Sequence, residues 1–169
     1  MTDFVVRRTA PDPAAVRRLL EALPDWFGEP SSLEEYVTDA ARMTTYLARV
    51  ADEPIGVLLV RQHFPEAAEV HLIAVDPGWH RLGVGRALIA AVEADLAATG
   101  TRLLQVKTIG PSSSDPFYAR TRQFYRGLGF LPLEELLDAR SPTSPWPCLV
   151  LVKPIRRPAR QLPEPPATT

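Results

Sequence analysis

The stretch Val70-His71-Leu72-Ile73-Ala74-Val75-Asp76-Pro77-Gly78-Trp79-His80-Arg81-Leu82-Gly83-Val84-Gly85-Arg86-Ala87-Leu88 decides how this chain is read. It opens on an apolar run with strand character, and Asp76-Pro77-Gly78 ends that run. Val84, Ala87, Leu88, Ala91, Val92 and Leu96 then recur at helical spacing, so residues 81–86 form a turn that opens a helix. The first amides of a helix lack intrahelical partners and sit at the positive end of its dipole. Arg81 and Arg86 add charge there, and Gly83 and Gly85 have no side chain to hold a phosphate off the backbone. The expectation is a phosphate-bearing cofactor bound by Arg81, Leu82, Gly83, Val84, Gly85 and Arg86. The competing reading is a glycine-rich turn that only lets a helix pack on a sheet.

Two familiar phosphate motifs fail on their own terms. A dinucleotide fingerprint wants a third glycine where this chain has Leu88. The NTPase loop G-x-x-x-x-G-K-[ST] occurs nowhere in the chain. What remains, His80-Arg81-Leu82-Gly83-Val84-Gly85, resembles the first signature of the GNAT superfamily of acyl-CoA-dependent N-acyltransferases, R/Q-x-x-G-x-G/A. His80 stands where Arg or Gln is usual. The segment Tyr118-Ala119-Arg120-Thr121-Arg122-Gln123-Phe124-Tyr125-Arg126-Gly127-Leu128-Gly129-Phe130 resembles the second signature, a helix ending in F-Y-x-x-x-G-F. Tyr118, Thr121, Arg122, Tyr125 and Leu128 lie near one helical face, and Gly129 suits the left-handed residue that stops a helix. The resemblance spans roughly residues 4 to 155, with its specific motifs in 70–88 and 118–130.

The resemblance implies an α+β fold, a mixed, mostly antiparallel central sheet flanked by helices on both faces. It implies acetyl-CoA as acyl-donor co-substrate and direct transfer of its acetyl group to a primary amine within a ternary complex. It also implies that backbone amides of Ile73, Ala74 and Val75 meet the thioester, where amides fixed in advance stabilise developing charge. A splay or bulge in that strand would free them. Tyr125 is the expected general acid for the departing thiolate, because an ordinary phenol titrates only slightly above a thiol. Its alternative is an aromatic that packs helix on sheet. The family often has a cofactor-contacting Asn seven residues before its Tyr, and here that position is Tyr118.

Glu69 and His71 share one strand face by alternation and are the candidate bases, with His63 a further option. The alternative is that they are satisfied strand residues. Acceptors in the family enter between the first helices and the last strands, which gives Trp26, Phe27 and Tyr36 as substrate-binding candidates. Trp26 and Phe27 are either walls of that pocket or core plugs, and Asp25 or Glu29 would attract a cationic amine.

Composition sets the limits. The 169 residues suffice for one domain with a core, and 46% hydrophobic with 23% charged residues is an ordinary globular balance. A net charge of -1 gives no reason to expect nucleic acid or an anionic membrane as partner. Cys148, the single cysteine, sits in an apolar run and reads as a buried hydrophobe. His63, His71 and His80 lack metal-ligand spacing, so no metal is expected. Ser112-Ser113-Ser114 lacks the G-x-S-x-G frame of a hydrolase nucleophile. No signal peptide or membrane span is visible, so a cytoplasmic location is expected.

The pattern predicts the order β-α-α-β-β-β-α-β-α-β-β within a single domain of residues 1–156. Asp12-Pro13 starts the first helix, and Ser31-Ser32-Leu33-Glu34 reads as a capping box for the second. Pro142, Pro145 and Pro147 mark a loop, and residues 157–169 read as a Pro-rich disordered tail. The apolar last strand offers an edge for a homodimer. The acceptor is a small-molecule or peptide amine. The alternative to an enzyme is a non-catalytic acyl-CoA-binding sensor.

Overall fold

Local chemistry sets most of the element ends. The Asp12 carboxylate accepts the Ala15 N–H at 3.0 Å and starts α1 (Pro13–Glu21), with Pro13 at its first position. Asp115 accepts the Phe117 N–H at 2.9 Å and starts α5 (Pro116–Gly127) in the same way. Gly100 ends α4 (Val84–Thr99) with φ of 89°. After α5, Gly129 at φ 89° lets its own N–H reach the Arg126 carbonyl and the Phe130 N–H reach that of Tyr125.

The capping box is not used. Helix α3 (Pro30–Ala40) starts earlier, on the fixed φ of Pro30, which leaves Ser31 and Ser32 inside its first turn. Glu34 instead pairs with Arg17 of α1 at 2.6 Å. A four-residue helix α2 (Pro24–Phe27) lies between them, one element more than the predicted order holds.

The computed structural model describes residues 3–138 and 146–156. Residues 157–169, read above as a tail, and Pro142 and Pro145 of the expected loop lie outside them. The strands are β1 (Val5–Thr9), β2 (Thr44–Val50), β3 (Glu53–Phe64), β4 (Ala67–Val75), β5 (Leu103–Ile109), β6 (Leu131–Asp138) and β7 (Trp146–Pro154). They form one sheet in the order β1-β2-β3-β4-β5-β7-β6. Only β4 and β5 pair in parallel. The mixed, mostly antiparallel sheet is the expected one. The last strand, however, is internal: β7 is hydrogen-bonded to β5 on one side and β6 on the other. With both rows of backbone groups paired, it offers no edge to a second chain, and the edges are β1 and β6.

Each face of the sheet has its own core. Val16, Leu19 and Leu20 of α1 and Ala40 of α3 pack on Leu47, Val57, Leu59, Leu72 and Ala74. Across the sheet, Val84, Leu88, Ile89 and Val92 of α4 pack on Tyr46, Leu58, Val60, Val70 and Leu104, and Tyr125 of α5 joins them. Each such aliphatic side chain contributes about 1.5–3 kcal/mol when fully buried. Cys148 is buried, as expected. Among the described residues no helix is long and apolar enough to cross a membrane.

Strand β4 departs from regular pairing twice. Leu72 pairs with Leu59 and Val70 with Val60, which leaves His71 as the extra residue of a bulge. Val70 therefore joins the α4 core while Leu72, two residues on, joins the α1–α3 core. The second departure is on the other edge of β4. Pairing with β5 runs from Ala67 opposite Leu103 to Val70 opposite Val106 and stops. Beyond that point β5 pairs only with β7, and the sheet splays open.

Candidate active site

The splay runs into the turn before α4. The Asp76 N–H donates to the Ile55 carbonyl at 2.9 Å, which fixes the phase of the β3–β4 ladder. By alternation the amides of Leu72 and Ala74 face β3, and those of Ile73 and Val75 face the gap. The Val75 carbonyl accepts the Nε2–H of His80 at 2.8 Å, so His80 ties the turn back to the strand. Of the three expected amide donors, Ala74 is thus committed to the sheet.

The turn itself is made of strained and unsatisfied backbone. Arg81 has φ of 63° and Gly83 of 87°, both left-handed. A side chain at Gly83 would meet nothing within 4 Å, so glycine is required there by conformation and the space beside it is open. The first N–H that α4 satisfies internally is that of Ala87, which donates to the Gly83 carbonyl at 2.9 Å. The amides of Val84, Gly85 and Arg86 precede it and project from the helix end. Arg81, Leu82 and Arg86 are exposed, whereas the Val84 side chain is buried in the core and leaves only its amide. Gly85 has a packing reason as well: a Cβ there would lie 3.0 and 3.1 Å from the Phe124 ring of α5.

Helix α5 brings the tyrosines in. Tyr125 is buried, with its ring edge-on to Phe124 and Phe130. Burial pushes its hydroxyl well above the ordinary phenol value, and nearby Tyr36 adds to this. The ordinary value expected from the sequence does not hold for a ring so enclosed, and the hydroxyl stays protonated. The Tyr118 hydroxyl donates to the Trp26 carbonyl at 3.3 Å, and the Trp26 indole N–H donates to Thr121 Oγ1 at 3.2 Å. Trp26 also lies edge-on to Phe117 and His80, so α2 is fastened across α5. Phe27 meets Tyr36 edge-on, and Tyr36 meets His71 with ring centroids 5.4 Å apart. Burial, with Tyr36 and Asp115 adding, also pushes the Tyr118 hydroxyl up. Trp26, Phe27 and Tyr36 are therefore gathered beside Tyr118, Tyr125 and His71.

The two candidate bases have different surroundings. Glu69 is 5% exposed, and its Oε2 accepts from His63 at 2.5 Å, Gln105 at 2.9 Å and Lys107 at 3.2 Å. Burial alone would raise its pKa, but the bonds from His63 and Gln105 and the charge of Lys107 outweigh it and hold the carboxyl below its usual range. His71 Nε2 lies 2.9 Å from Asp39 Oδ2. Burial, and then the Arg61 charge, push the His71 pKa below its usual value against the opposing pull of Asp39 and Glu69.

A family model described as an acetyltransferase (GNAT) domain matches residues 41–132, more than half of the chain. The chain belongs to the GNAT acetyltransferase family. A search of curated proteins finds no match. Among solved structures, a protein assigned to the GNAT acetyltransferase family from Desulfovibrio desulfuricans is 26% identical, with a TM-score of 0.76 over 91% of this chain and 100% of its own. The ribosomal-protein-S18-alanine N-acetyltransferase of Escherichia coli is 17% identical, with a TM-score of 0.71 over 95% of this chain and 99% of its own. An aminoglycoside 6′-N-acetyltransferase complexed with coenzyme A is 19% identical, with a TM-score of 0.70 over 91% and 99%.

Within this GNAT domain, residues 81–86 form one group, and Trp26, Phe27, Tyr36, His71, Tyr118 and Tyr125 form another. Glu69 has its own partners, His63, Gln105 and Lys107, and its charge reaches His71. Asp39 was missed by sequence reasoning. It is buried and held by Arg42 at 2.9 Å and Arg61 at 3.3 Å as well as by His71. Its one local signal is the i, i+3 spacing from Tyr36, which puts both on the side of α3 that meets His71. Arg122 is a strut: its Nη1 donates to the carbonyls of Ile109 at 2.9 Å and Gly110 at 3.2 Å.

Proposed function

We propose that this GNAT domain, residues 1–156, moves the acetyl group of acetyl-CoA directly to a primary amine of a small molecule or peptide. The observation that carries the reading is the junction of two sets of free amides, those projecting from the α4 turn and those of Ile73 and Val75 in the splay. Acetyl-CoA fits this junction. The open left-handed turn at Gly83, between the exposed Arg81 and Arg86, suits a pyrophosphate. The gap-facing amides suit a thioester oxygen as it gains charge.

The amine nitrogen attacks the thioester carbon, the new C–N bond forms, and the C–S bond breaks. The thiolate then takes the Tyr125 hydroxyl proton. The raised pKa of that phenol is no obstacle, because a thiolate released into the same dry surroundings is also a stronger base than in water. Proton transfer between two groups shifted the same way stays near balance, which favours general acid catalysis. Trp26, Phe27 and Tyr36 line the way in for the amine.

Calorimetric titration with acetyl-CoA, followed by free-thiol release with a panel of amines, tests this. Saturable binding with amine-dependent release supports transfer. Binding with no release under any amine speaks for a sensor of acyl-CoA.

A further inference from the structure

We infer that His71 is the general base of this reaction and that Asp39 is its positioning residue. The inference rests on the acetyl-transfer reading above. Its starting point is the bulge: His71 is the one residue of β4 without a partner opposite it, at the point where β4 leaves β5. A residue so displaced is re-aimed relative to its strand, and here the ring meets Asp39 and Tyr36 of α3. An ionised carboxylate only accepts, so neutral His71 carries its proton on Nε2 and gives it to Asp39 at 2.9 Å. The lone pair is then on Nδ1, which no hydrogen bond among the described residues occupies.

Asp39 is itself fixed. Arg42 holds Oδ1, and Arg61 and His71 share Oδ2. Burial would raise its pKa, but Arg42, His71 and Arg61 together keep it below the usual carboxylate range, so it stays charged. The groups that bear on His71 are Asp39 and Tyr36 from α3, Arg61 from β3 and Glu69 from β4, with Arg42 acting through Asp39. Their balance, together with burial, leaves His71 neutral at pH 7 and able to accept a proton. Glu69 is the poorer base, since one of its oxygens already holds three donors, one of them the Lys107 cation.

In the reaction the ammonium form of the acceptor gives one proton to Nδ1, which frees the nitrogen lone pair to attack, and the imidazolium so formed is stabilised by the Asp39 carboxylate. The imidazolium returns its proton to solvent after product leaves. Tyr125 supplies the separate proton that the thiolate needs, and the second proton, shed by the nitrogen once the C–N bond has formed, returns to Tyr125 through solvent, so both transfers balance.

The test pairs imidazole ¹⁵N NMR titration with thiol release from acetyl-CoA, using 2-phenylethylamine and hydroxylamine as acceptors. The chain has only three histidines, which keeps the spectrum assignable. His71 is expected as the Nε2–H tautomer, with a midpoint below the usual histidine value. Asp39→Asn should lower that midpoint further, mix the tautomers and move the acid limb of kcat to lower pH by the same amount. His71→Gln should cut kcat for 2-phenylethylamine by about 10²–10⁴-fold and remove the acid limb. It should cost much less with hydroxylamine, which is already uncharged at neutral pH. An acid limb that survives His71→Gln, or a His71 tautomer and midpoint that Asp39→Asn leaves unchanged, would overturn the inference. A wild type that shows no acetyl-CoA binding and no thiol release would overturn acetyl transfer itself, and the base with it.

Discussion

The turn at residues 81–86 is made of backbone, and the cluster around His71 is made of side chains delivered by α2, α3, β3, β4 and α5. The turn draws on one short segment alone: projecting amides, a left-handed glycine and two exposed arginines. Amides do not titrate, and they cannot be exchanged by substituting a side chain. The cluster has the opposite character. His71, Asp39, Tyr36 and Trp26 are individually replaceable, and the charges of His71 and Asp39 depend on each other. Under the proposed transfer, a donor side built on backbone would keep one ligand, whereas an acceptor side built on side chains could be re-specified without disturbing it.

Substitutions can break this contrast. The largest effect belongs to Gly83→Glu. It forces a side chain into φ of 87° and sets a negative charge beside the projecting amides. Acetyl-CoA affinity should fall at least about 100-fold by calorimetry, since lost phosphate contacts and the left-handed penalty of roughly 1–2 kcal/mol combine. Circular dichroism should show the fold intact, because the space beside Gly83 is open.

Gly85→Ala sharpens the contrast from within the turn. Its Cβ would press on the Phe124 ring, so it should lower stability by about 1–3 kcal/mol in urea denaturation. Phe124→Leu in the same chain should restore much of that loss. The two glycines would then separate cleanly, one acting on ligand and the other on packing.

On the acceptor side, Thr121→Val removes the oxygen that receives the Trp26 indole N–H. A loss of about 1 kcal/mol should raise KM for the amine roughly fivefold, with acetyl-CoA binding unchanged. A matching change in acetyl-CoA affinity would mean that the two sides are not independent.

The same contrast governs what the sequence made legible. Asp12, Asp115, Gly100 and Gly129 act on residues within a turn of themselves, so their roles follow from the local string. The α4 turn is legible for the same reason. A bulge or splay could be named as the device that frees amides, but its position at His71 depends on how β3 and β5 meet β4. Asp39 reaches His71 across 32 residues and Trp26 reaches Thr121 across 95, distances at which no periodicity carries information. The insertion of β7 between β5 and β6 is equally a matter of topology, and it makes an internal strand of what the sequence alone reads as an edge. Ser31-Ser32-Leu33-Glu34 fails for a local reason: two start signals overlap, and Pro30 comes first.

Thiol release by Tyr125→Phe beside the wild type asks whether the tyrosine of α5 and the turn of α4 serve one acetyl transfer. The hydroxyl makes no hydrogen bond among the described residues, so its removal should leave stability and acetyl-CoA binding nearly unchanged. The wild type should release thiol only with an amine present, and the variant's kcat should fall about 100-fold or more. Equal rates in the two proteins, at equal acetyl-CoA saturation, would contradict it.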